Sequence, residues 1–493
     1  MPSVASDALV AVIGSGVMGA GIAQVAAAAG HPVALYDINA AAVSNAVESV
    51  RASFRKLAAK GRMREDAATA AGSRVGAAST IRELSGAKLV VEAIYENLEA
   101  KRKTVAELEL IVQEDCILAS NTSSLSITAI AAGLKRPERV VGMHFFNPAP
   151  VMELVEVVRG LETGDEYAAT VFETAAAWGK TPVYARSTPG FIVNRVARPY
   201  YGEALRLLTE RAGTPASIDA VMREAGGFRM GPFELMDLIG QDVNFAVTRS
   251  VFNAYFNEPR FTPSLAQQEL VEAGFLGRKS GRGFFDYRQG AAKPTPDTEA
   301  AMPIPSRCVA FGSDPLIEAL AKRVAVAREA AGALGPAIEV DGVFAAITDG
   351  RTAAQRAAET SVADFVVVDL ALDYEKATRL AIASRGDASS VIGLLQAAGY
   401  AVTRLKDVPG LAVMRTVAML ANEAADAVNQ GVASVDGVDT AMRKGVNYPL
   451  GPLGWANRIG MPRVAAVLSH LAAYYGEDRY RMSPLIRELG WAS

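Results

Sequence analysis

Short apolar runs separated by longer amphipathic stretches open the chain. Each run is short enough to be a buried strand, and we expect strands at residues 9–13, 33–36, 89–94 and 117–119. The stretches between them have the composition of helices, and we expect helices at residues 20–29, 40–60 and 97–112. Strands that alternate with helices predict a parallel sheet covered by helices on both faces.

The next two apolar runs start at Val140 and Val151. The prolines at positions 148 and 150 end the first of these two runs, because proline breaks a strand. If the two runs fold back around Pro150, His144 lies opposite Glu156, since each residue is six positions from the turn. A carboxylate that holds an imidazole is suited to general acid–base catalysis, although a histidine in an apolar strand also commonly packs in a core. The other two histidines, His31 in a turn and His470 in an amphipathic helix, are interpreted as structural.

The chain becomes helical after about residue 187, and this helical pattern returns in the second half at an offset of 220 residues. The repeat pairs Pro189-Gly190 with Pro409-Gly410, Arg195 with Arg415, Glu203 with Glu423, and Gly231-Pro232 with Gly451-Pro452. One register held over so many positions indicates a duplicated helical domain. Asn194 is replaced by Met414 in the second copy, so that copy is predicted to be structural.

Residues 308–406 lie between the two helical copies. Within them, Phe365 to Asp369 resembles the run at residues 89–92 and is predicted to be a strand followed by a helix. No glycine-rich turn follows the apolar run at residues 309–312. We therefore interpret this segment as a reduced Rossmann-like domain that does not bind a dinucleotide.

The predicted fold class is α/β plus all-α. We divide the chain into a Rossmann domain, a helical domain that faces the substrate, a linker rich in alanine and proline, a reduced Rossmann-like domain and a second helical domain. These segments span residues 1–186, 187–288, 289–307, 308–406 and 407–493, respectively.

The turn after the first strand has the pattern G-x-G-x-x-G, formed by Gly14, Ser15, Gly16, Val17, Met18 and Gly19. The first glycine permits the tight turn, the second lets a pyrophosphate approach the backbone, and the third lets the helix pack on the strand. The helix N-terminus favours phosphate. Asp37, at the end of the second strand, can accept hydrogen bonds from ribose hydroxyls and would repel a 2′-phosphate. The motif therefore predicts NAD rather than NADP.

Polar residues follow the ends of the next strands. Glu96, Asn121 and Ser123 all occur just after a predicted strand. Ligands of parallel sheets bind beyond the carboxyl ends of the strands, so these side chains are expected to face the cofactor.

Composition narrows the classes of protein further. The 493 residues are half hydrophobic and carry a net charge of −3, which indicates neither a nucleic acid nor a membrane surface as partner. We find no signal peptide and no apolar stretch of transmembrane length. Two cysteines make no disulfide framework, and no Cys/His cluster indicates a metal. The chain is predicted to be soluble and cytoplasmic.

With these residues in view, the chain resembles the 3-hydroxyacyl-CoA dehydrogenase family, in particular its long bacterial 3-hydroxybutyryl- and 3-hydroxyadipyl-CoA type with a duplicated helical domain. The resemblance rests on residues 14–19, 120–125, 144–148 and 189–195. It implies NAD-dependent oxidation of an (S)-3-hydroxyacyl-CoA to the 3-ketoacyl-CoA, in fatty acid or aromatic (phenylacetate) degradation. It also implies that the helical copies pair within one chain as a pseudo-dimer, with further self-association left open.

The resemblance also implies roles for particular residues. His144 would be the catalytic base, Glu156 its orienting partner, and Ser123 and Asn194 would contact the substrate. NAD would be held by Glu96, Lys101, Asn121, Ser123, Asn147 and Lys279, in addition to the glycine-rich turn and Asp37. Coenzyme A would be contacted by Ser53 and Lys60, although a solvated helix face explains these two residues equally well.

Two other functions are consistent with parts of the pattern. The same cofactor domain serves dehydrogenases of free hydroxy acids. A duplicated and partly degenerate chain could also be an NAD-binding protein without catalytic activity, but the joint presence of Ser123, His144, Glu156 and Asn194 argues against that reading.

Overall fold

The structure is a computed structural model that describes residues 2–332 and 335–492. The chain forms two compact units. One comprises residues 1–195 together with 430–446, and the other comprises residues 196–429 together with 447–493. In the described residues no helix combines the length and the apolar character needed to cross a bilayer.

The first unit is built on an eight-stranded sheet with the order β3-β2-β1-β4-β5-β6-β7-β8. Its strands are β1 Val10–Ile13, β2 Val33–Tyr36, β3 Val75–Ala77, β4 Leu89–Glu92, β5 Ile117–Ser120, β6 Val140–Phe145, β7 Leu154–Arg159 and β8 Thr181–Arg186. Its helices are α1 Val17–Ala28, α2 Ala40–Ala59, α3 Glu65–Ser73, α4 Leu98–Glu109, α5 Ile127–Ala131, α6 Asp165–Ala177 and α7 Val193–Val196. All neighbouring strands are parallel except β6 and β7.

The core strands of this sheet, β1, β4 and β5, are buried along their whole length. They consist almost entirely of aliphatic residues, as expected for parallel strands covered on both faces. The polar residues that follow them are thereby held at one edge of a rigid layer. The predicted Rossmann architecture is confirmed.

The antiparallel pair β6 and β7 has the register inferred from the sequence. His144 is paired with Glu156, and Phe145 with Val155. Because side chains alternate along a strand, a shift of the pairing by one residue would place His144 and Glu156 on opposite faces of the sheet. This register therefore fixes the two polar side chains next to each other.

A helix of the second helical copy belongs to the first unit. This helix, Val435–Gly445, packs on β7 and β8. A Cβ atom on Gly445 would lie 2.6 Å from a methyl of Leu154, so a larger residue there would force the Leu154 side chain to move. Lys444 forms an ion pair with Glu153 at 2.5 Å. The repeat alone did not predict this placement.

The second unit contains a seven-stranded mixed sheet with the order β10-β9-β11-β12-β13-β14-β15. Its strands are β9 Cys308–Phe311, β10 Ala327–Glu329, β11 Ala337–Val340, β12 Val343–Ile347, β13 Phe365–Val368, β14 Arg379–Arg385 and β15 Ala401–Arg404. Its helices before β15 are α8 Arg198–Thr209, α9 Pro215–Glu224, α10 Pro232–Ile239, α11 Gln241–Ala254, α12 Leu265–Glu272, α13 Pro315–Ala321, α14 Ala353–Thr360 and α15 Ser389–Ala397. After β15 come α16 Val413–Asn429, α17, which is the Val435–Gly445 helix of the first unit, then α18 Pro452–Ile459, α19 Met461–Tyr475 and α20 Pro484–Ala492. This sheet confirms the reduced Rossmann-like domain.

One detail of that domain was predicted wrongly. The run from Phe365 to Asp369 is not followed by a helix, because the next element is β14, which pairs antiparallel with β13. Asp369 is buried and its carboxylate accepts the backbone N–H groups of Ala412, Val413 and Met414 at 2.8–3.0 Å. Burial outweighs these hydrogen bonds and raises the pKa of Asp369 to about 6.

Within the second unit, buried ion pairs join the two helical copies. Arg415 donates to Glu203 at 2.7 Å, and Arg260 donates to Glu423 at 2.8 Å and to Asp426 at 2.6 Å. All five side chains are almost fully buried. Removing one copy would leave the partners of the other as uncompensated buried charges, which is strongly destabilising.

Candidate active site

The glycine-rich turn joins β1 to α1. Of its three glycines, two are closely surrounded by backbone atoms, and the third, Gly16, has free space beside it. Gly14 has a φ of 99°, and a Cβ there would lie 2.6 Å from the Ala93 oxygen. A Cβ on Gly19 would lie 1.8 Å from the Gly14 oxygen. A Cβ on Gly16 would meet no atom within 4 Å. The free space at Gly16, at the N-terminus of α1, fits a pyrophosphate that approaches the backbone.

The carboxylate of Asp37 organises this turn from the end of β2. It accepts hydrogen bonds from the Ser15 N–H at 2.8 Å, the Ser15 hydroxyl at 2.9 Å and the Asn39 N–H at 3.0 Å. Partial burial raises the pKa of Asp37, but these hydrogen bonds outweigh it, so the pKa lies below its usual value. The carboxylate is therefore ionised and keeps lone pairs for further donors.

Glu96 holds the loop that follows β5. Its Oε1 accepts from the Thr122 hydroxyl at 2.6 Å, the Ser123 N–H at 3.0 Å and the Ser124 N–H at 2.9 Å. Burial raises the pKa of Glu96, but these hydrogen bonds and the charge of Lys101 outweigh it and lower the pKa. The position of Ser123 is thus fixed by a carboxylate at the end of the neighbouring strand.

Lys101 lies beneath that loop, and only 1% of it is exposed. Its Nζ donates to Glu92 Oε1 at 2.7 Å and to the Ile94 oxygen at 3.2 Å, and lies 3.4 Å from Glu96 Oε2. A buried lysine with these partners supports Glu96 from behind. The ammonium group of Lys101 therefore faces Glu92 and Glu96, and its predicted contact with NAD stays a prediction.

His144 and Glu156 form the central pair of the site. His144 Nδ1 lies 2.6 Å from Glu156 Oε2, and both side chains are buried. A carboxylate only accepts hydrogen bonds, so Nδ1 is the donor in this pair, and in the neutral ring the lone pair then belongs to the other nitrogen, Nε2. The rings of Phe146 and Phe191 pack against the imidazole at centroid distances of 4.5 and 5.7 Å.

The second oxygen of Glu156 holds the start of α7. Its Oε1 accepts the N–H groups of Ile192 at 3.0 Å and Val193 at 2.9 Å. Phe191, just before them, has a φ of 46°, a conformation that non-glycine residues rarely adopt. Asn194 follows, and its Nδ2 lies 3.5 Å from the Ser123 carbonyl oxygen. One carboxylate thus orients the imidazole and places the amide of Asn194 near Ser123.

The remaining residues for which the resemblance implies a binding role lie on the loops after β5 and β6, on α2 and in the second unit. Asn121 Oδ1 accepts the Phe145 N–H at 2.8 Å and thereby ties the loop after β5 to β6. Asn147 is exposed in the loop after β6. Ser53 and Lys60 lie on the last turns of α2 and at its C-terminus, and the Ser53 hydroxyl donates to the Ser49 oxygen. Lys279, in the second unit, pairs with Asp242 at 2.7 Å. Their roles stay predictions.

Three apolar side chains near the turn are exposed: Val17 belongs to the turn predicted to bind NAD, whereas Ile38 and Tyr95 were not predicted as site residues. Val17, Ile38 and Tyr95 are 75%, 93% and 71% exposed. Val17 begins α1, Ile38 follows Asp37, and Tyr95 precedes Glu96. The positions of Ile38 and Tyr95, shortly after the ends of β2 and β4, were a usable signal, since apolar groups exposed next to a binding motif commonly contact a ligand.

Comparison with known proteins identifies the family. The model of the 3-hydroxyacyl-CoA dehydrogenase NAD-binding domain matches residues 9–188, and that of the C-terminal domain matches residues 190–287 and 410–492. A model of the 3-hydroxybutyryl-CoA dehydrogenase reduced Rossmann-fold domain matches residues 345–409.

Individual relatives agree with these matches. The chain is 46% identical over 97% of its length to a 3-hydroxyadipyl-CoA dehydrogenase of Escherichia coli, of which it covers 96%. A crystal structure of a 3-hydroxybutyryl-CoA dehydrogenase from the same species superposes with a TM-score of 0.91 at 44% identity, over 99% of this chain and 98% of that one. A probable 3-hydroxybutyryl-CoA dehydrogenase of Bacillus subtilis is 42% identical over 56% of this chain and 96% of its own.

The chain therefore belongs to the 3-hydroxyacyl-CoA dehydrogenase family. It is an NAD-dependent dehydrogenase, and the predicted family and cofactor are confirmed.

Replacing Asp37 tests cofactor selection. We expect Asp37→Ala to weaken NAD binding and to relax discrimination against NADP, because the ribose acceptor and the repulsive charge are both lost. Fluorescence titration with NADH and NADPH measures the two affinities. Arg64→Ala, which removes an exposed residue paired with Asp66, is the control and should change neither affinity. Preference for NADPH in the wild type would refute this role for Asp37.

Proposed function

We propose that the protein oxidises (S)-3-hydroxyacyl-CoA to 3-ketoacyl-CoA with NAD. The observation that carries this proposal is the buried His144–Glu156 pair, with Asn194 and Ser123 beside each other in the same unit. A base, an oriented carboxylate and two polar groups for a substrate oxygen are what oxidation of a secondary alcohol requires.

In the proposed mechanism, His144 Nε2 accepts the proton of the substrate hydroxyl. Glu156 holds the neutral ring in the tautomer that has its proton on Nδ1, and it stabilises the imidazolium that forms. Bound NAD supplies the hydride acceptor. The packing of Phe146 and Phe191 on the imidazole keeps water away from it and so strengthens its interaction with Glu156.

Ser123 and Asn194 are proposed to bind the oxygen on the reacting carbon. Glu96 holds Ser123, and Lys101 holds Glu96, so we assign Lys101 to the support of the cofactor loop. We also propose that the cofactor covers the exposed apolar side chains of Val17 and Ile38.

The remaining assignments are proposals that rest on the family alone. Asn121, Asn147 and Lys279 would contact NAD, and Ser53 and Lys60 would contact coenzyme A. The pathway would be fatty acid or aromatic degradation. The names of the relatives differ in the acyl group, since an adipyl chain ends in a carboxylate and a butyryl chain in a methyl group.

Oxidation of NADH with different acceptors tests the proposal. We expect acetoacetyl-CoA to be reduced and free acetoacetate to be reduced far more slowly. Efficient reduction of free acetoacetate would favour a dehydrogenase of free hydroxy acids, and the absence of turnover with both, despite NADH binding, would favour a protein without catalytic activity.

We further propose that the two helical copies form a pseudo-twofold pair within one chain. The buried contacts of Arg415 with Glu203 and of Arg260 with Glu423 support this proposal. The second copy would then supply a surface that a single-copy protein must find in a partner subunit, and Met414 suits that role because it needs no polar contact with a substrate.

Truncation after Tyr287 tests this pairing. We expect the fragment to be insoluble, or to form a dimer with recovered activity, because it exposes the apolar face of α8 and leaves Arg260 and Glu203 without partners. Size-exclusion chromatography with light scattering measures its mass, and the full chain is the control, which also reports any further self-association. A monomeric, soluble and fully active fragment would contradict the pairing.

A further inference from the structure

Arg198 and Arg479 are two buried arginines of the second unit that have no carboxylate partner. They are only 6% and 8% exposed. Arg198 Nη1 donates to the Thr248 hydroxyl at 3.0 Å, and its buried Nε has no hydrogen-bond partner. Arg479 Nη2 donates to the Thr262 carbonyl oxygen at 3.4 Å. Among the described residues, no carboxylate forms an ion pair with either guanidinium.

Five other buried arginines each lie against a carboxylate. Their pairs are Arg139–Glu109 at 3.7 Å, Arg260–Glu423 at 2.8 Å, Arg356–Asp349 at 2.8 Å, Arg379–Glu224 at 3.0 Å and Arg415–Glu203 at 2.7 Å. Burial lowers the pKa of Arg198, but an arginine stays protonated in proteins. A buried charge left unpaired is costly to the fold. An anion that binds from solution would compensate it.

Arg479 and Arg260 occupy matching positions in the two helical copies. They lie in the short 3₁₀ turns Asp478–Tyr480 and Pro259–Phe261, each directly before an aromatic residue. Arg260 Nη2 donates to the backbone oxygen of the residue that follows the opposite turn, at 2.7 Å, and Arg479 Nη2 does the same at 3.4 Å. The two arginines therefore have equivalent backbone contacts and differ in their acids.

A sequence difference between the copies removes the acid. Arg260 is paired with Asp426 at 2.6 Å. At the matching position of the first copy, 220 residues earlier, the chain has Arg206. The first-copy counterpart of the second acid of Arg260 is Glu203, which already pairs with Arg415 at 2.7 Å. The duplicated contact has thus lost a negative charge and gained a positive one on one side.

Both unpaired arginines line one cavity of about 620 Å³, and every residue that lines it belongs to the second unit. Its walls include the apolar side chains of Leu205 and Leu208 and the polar side chain of Gln267. Two carboxylates also line it: Glu210, which is paired with arginines, and Glu269, which is exposed on α12. Apolar walls with a few polar groups that fix orientation are typical of small-molecule sites.

We propose that this cavity binds a small organic anion, with its carboxylate or phosphate end held by Arg198 and attracted by Arg479, and its apolar body against the leucines. Such an oxyanion matches the planar fork of a guanidinium and accepts from N–H groups that otherwise have no acceptor. The site goes beyond the proposed function and does not depend on it, because it lies wholly in the second unit.

Calorimetric titration of the full chain with octanoate, octyl phosphate and octanol tests this proposal. The three probes share a chain of eight carbon atoms and differ in the end group. We expect at least one anion to bind saturably and at least about tenfold more tightly than octanol. The tighter of the two anions identifies the end group as carboxylate or phosphate. Binding should persist at saturating NADH, which occupies the first unit. If neither anion binds more tightly than octanol, the proposal is overturned.

Replacing the two unpaired arginines tests their roles. Arg198→Met should weaken binding of the anion by about 10- to 150-fold, the usual loss for a hydrogen bond to a charged group. Its affinity for NADH should change by less than about threefold. Arg479→Met should weaken anion binding by about two- to fivefold, because it removes an attracting charge. Anion binding that is unchanged in Arg198→Met would place the ligand elsewhere and overturn the proposal.

Two matched variants and a stability measurement separate recognition from structure. Arg206→Met removes a third arginine of the cavity, but one already paired with Glu210 and Glu477, and it should keep the affinity within about threefold. Arg198→Lys keeps the charge without the planar fork and should lose less affinity than Arg198→Met. Arg198→Met should unfold at the same or a higher temperature, because an apolar side chain replaces an unpaired buried charge. Equal losses of affinity in Arg206→Met and Arg198→Met, or a clearly lower unfolding temperature of ligand-free Arg198→Met, would contradict the assigned role of Arg198.

Discussion

His144→Gln should lower kcat/KM for the reduction of acetoacetyl-CoA by a factor on the order of 10²–10⁴, the usual contribution of general acid–base catalysis. Glutamine keeps a polar side chain of similar size beside Glu156 but has no basic nitrogen that could accept the proton of the substrate. Steady-state kinetics measure the effect. The affinity for NADH, measured by fluorescence, should change little.

The chain offers a matched control for this variant. His470 also uses its Nδ1, but the partner of that nitrogen, at 2.8 Å, is the backbone carbonyl oxygen of Asp349 and not a carboxylate. We expect His470→Gln to keep the activity of the wild type. A His144→Gln variant that retains most of its activity would remove His144 from the mechanism.

Glu156→Gln should have an effect of similar size, on the order of 10²–10⁴ in kcat/KM, through the tautomer of His144. Glutamine has one acceptor oxygen, whereas Glu156 serves His144 on one side and the N–H groups of Ile192 and Val193 on the other. If the oxygen stays with the two N–H groups, the amide nitrogen donates to Nδ1. The proton of the ring then moves to Nε2, which can no longer accept one from the substrate.

Asp369→Asn is the matched control for Glu156→Gln. Asp369 accepts the backbone N–H groups of Ala412 and Val413, the counterparts of Ile192 and Val193 in the repeat. Among the residues that the structure describes, no imidazole is bonded to it. Asp369→Asn should therefore lower stability in urea denaturation while each folded molecule keeps its activity. Equal loss of activity in both variants would show that Glu156 acts only by holding the backbone.

The pairing of His144 with Glu156 could be predicted because the period of a strand is two and the prolines fix the turn. The glycine-rich turn was equally accessible, since its three glycines lie within six residues, directly between an apolar run and a helical stretch. The buried position of Lys101 could not be predicted, because it depends on ion pairs with Glu92 and Glu96 that only the folded sheet edge brings together.

Long-range packing explains the other differences. The segment after Asp369 has helical composition, yet β14 forms there because its neighbours β13 and β15 supply hydrogen bonds on both sides. Strand formation depends on such context more than helix formation does. The placement of residues 430–446 in the first unit depends on a distant part of the chain, which the repeat does not encode.

The transfer of deuterium from substrate to cofactor tests the central claim most directly. The protein would be incubated with NAD and (S)-3-hydroxybutyryl-CoA deuterated at C3, and the products would be analysed by mass spectrometry. The account predicts deuterated NADH in equal amount to the acetoacetyl-CoA formed, and no reaction with the R enantiomer. Formation of acetoacetyl-CoA without deuterium in NADH, or oxidation of the R enantiomer in place of the S, would contradict it.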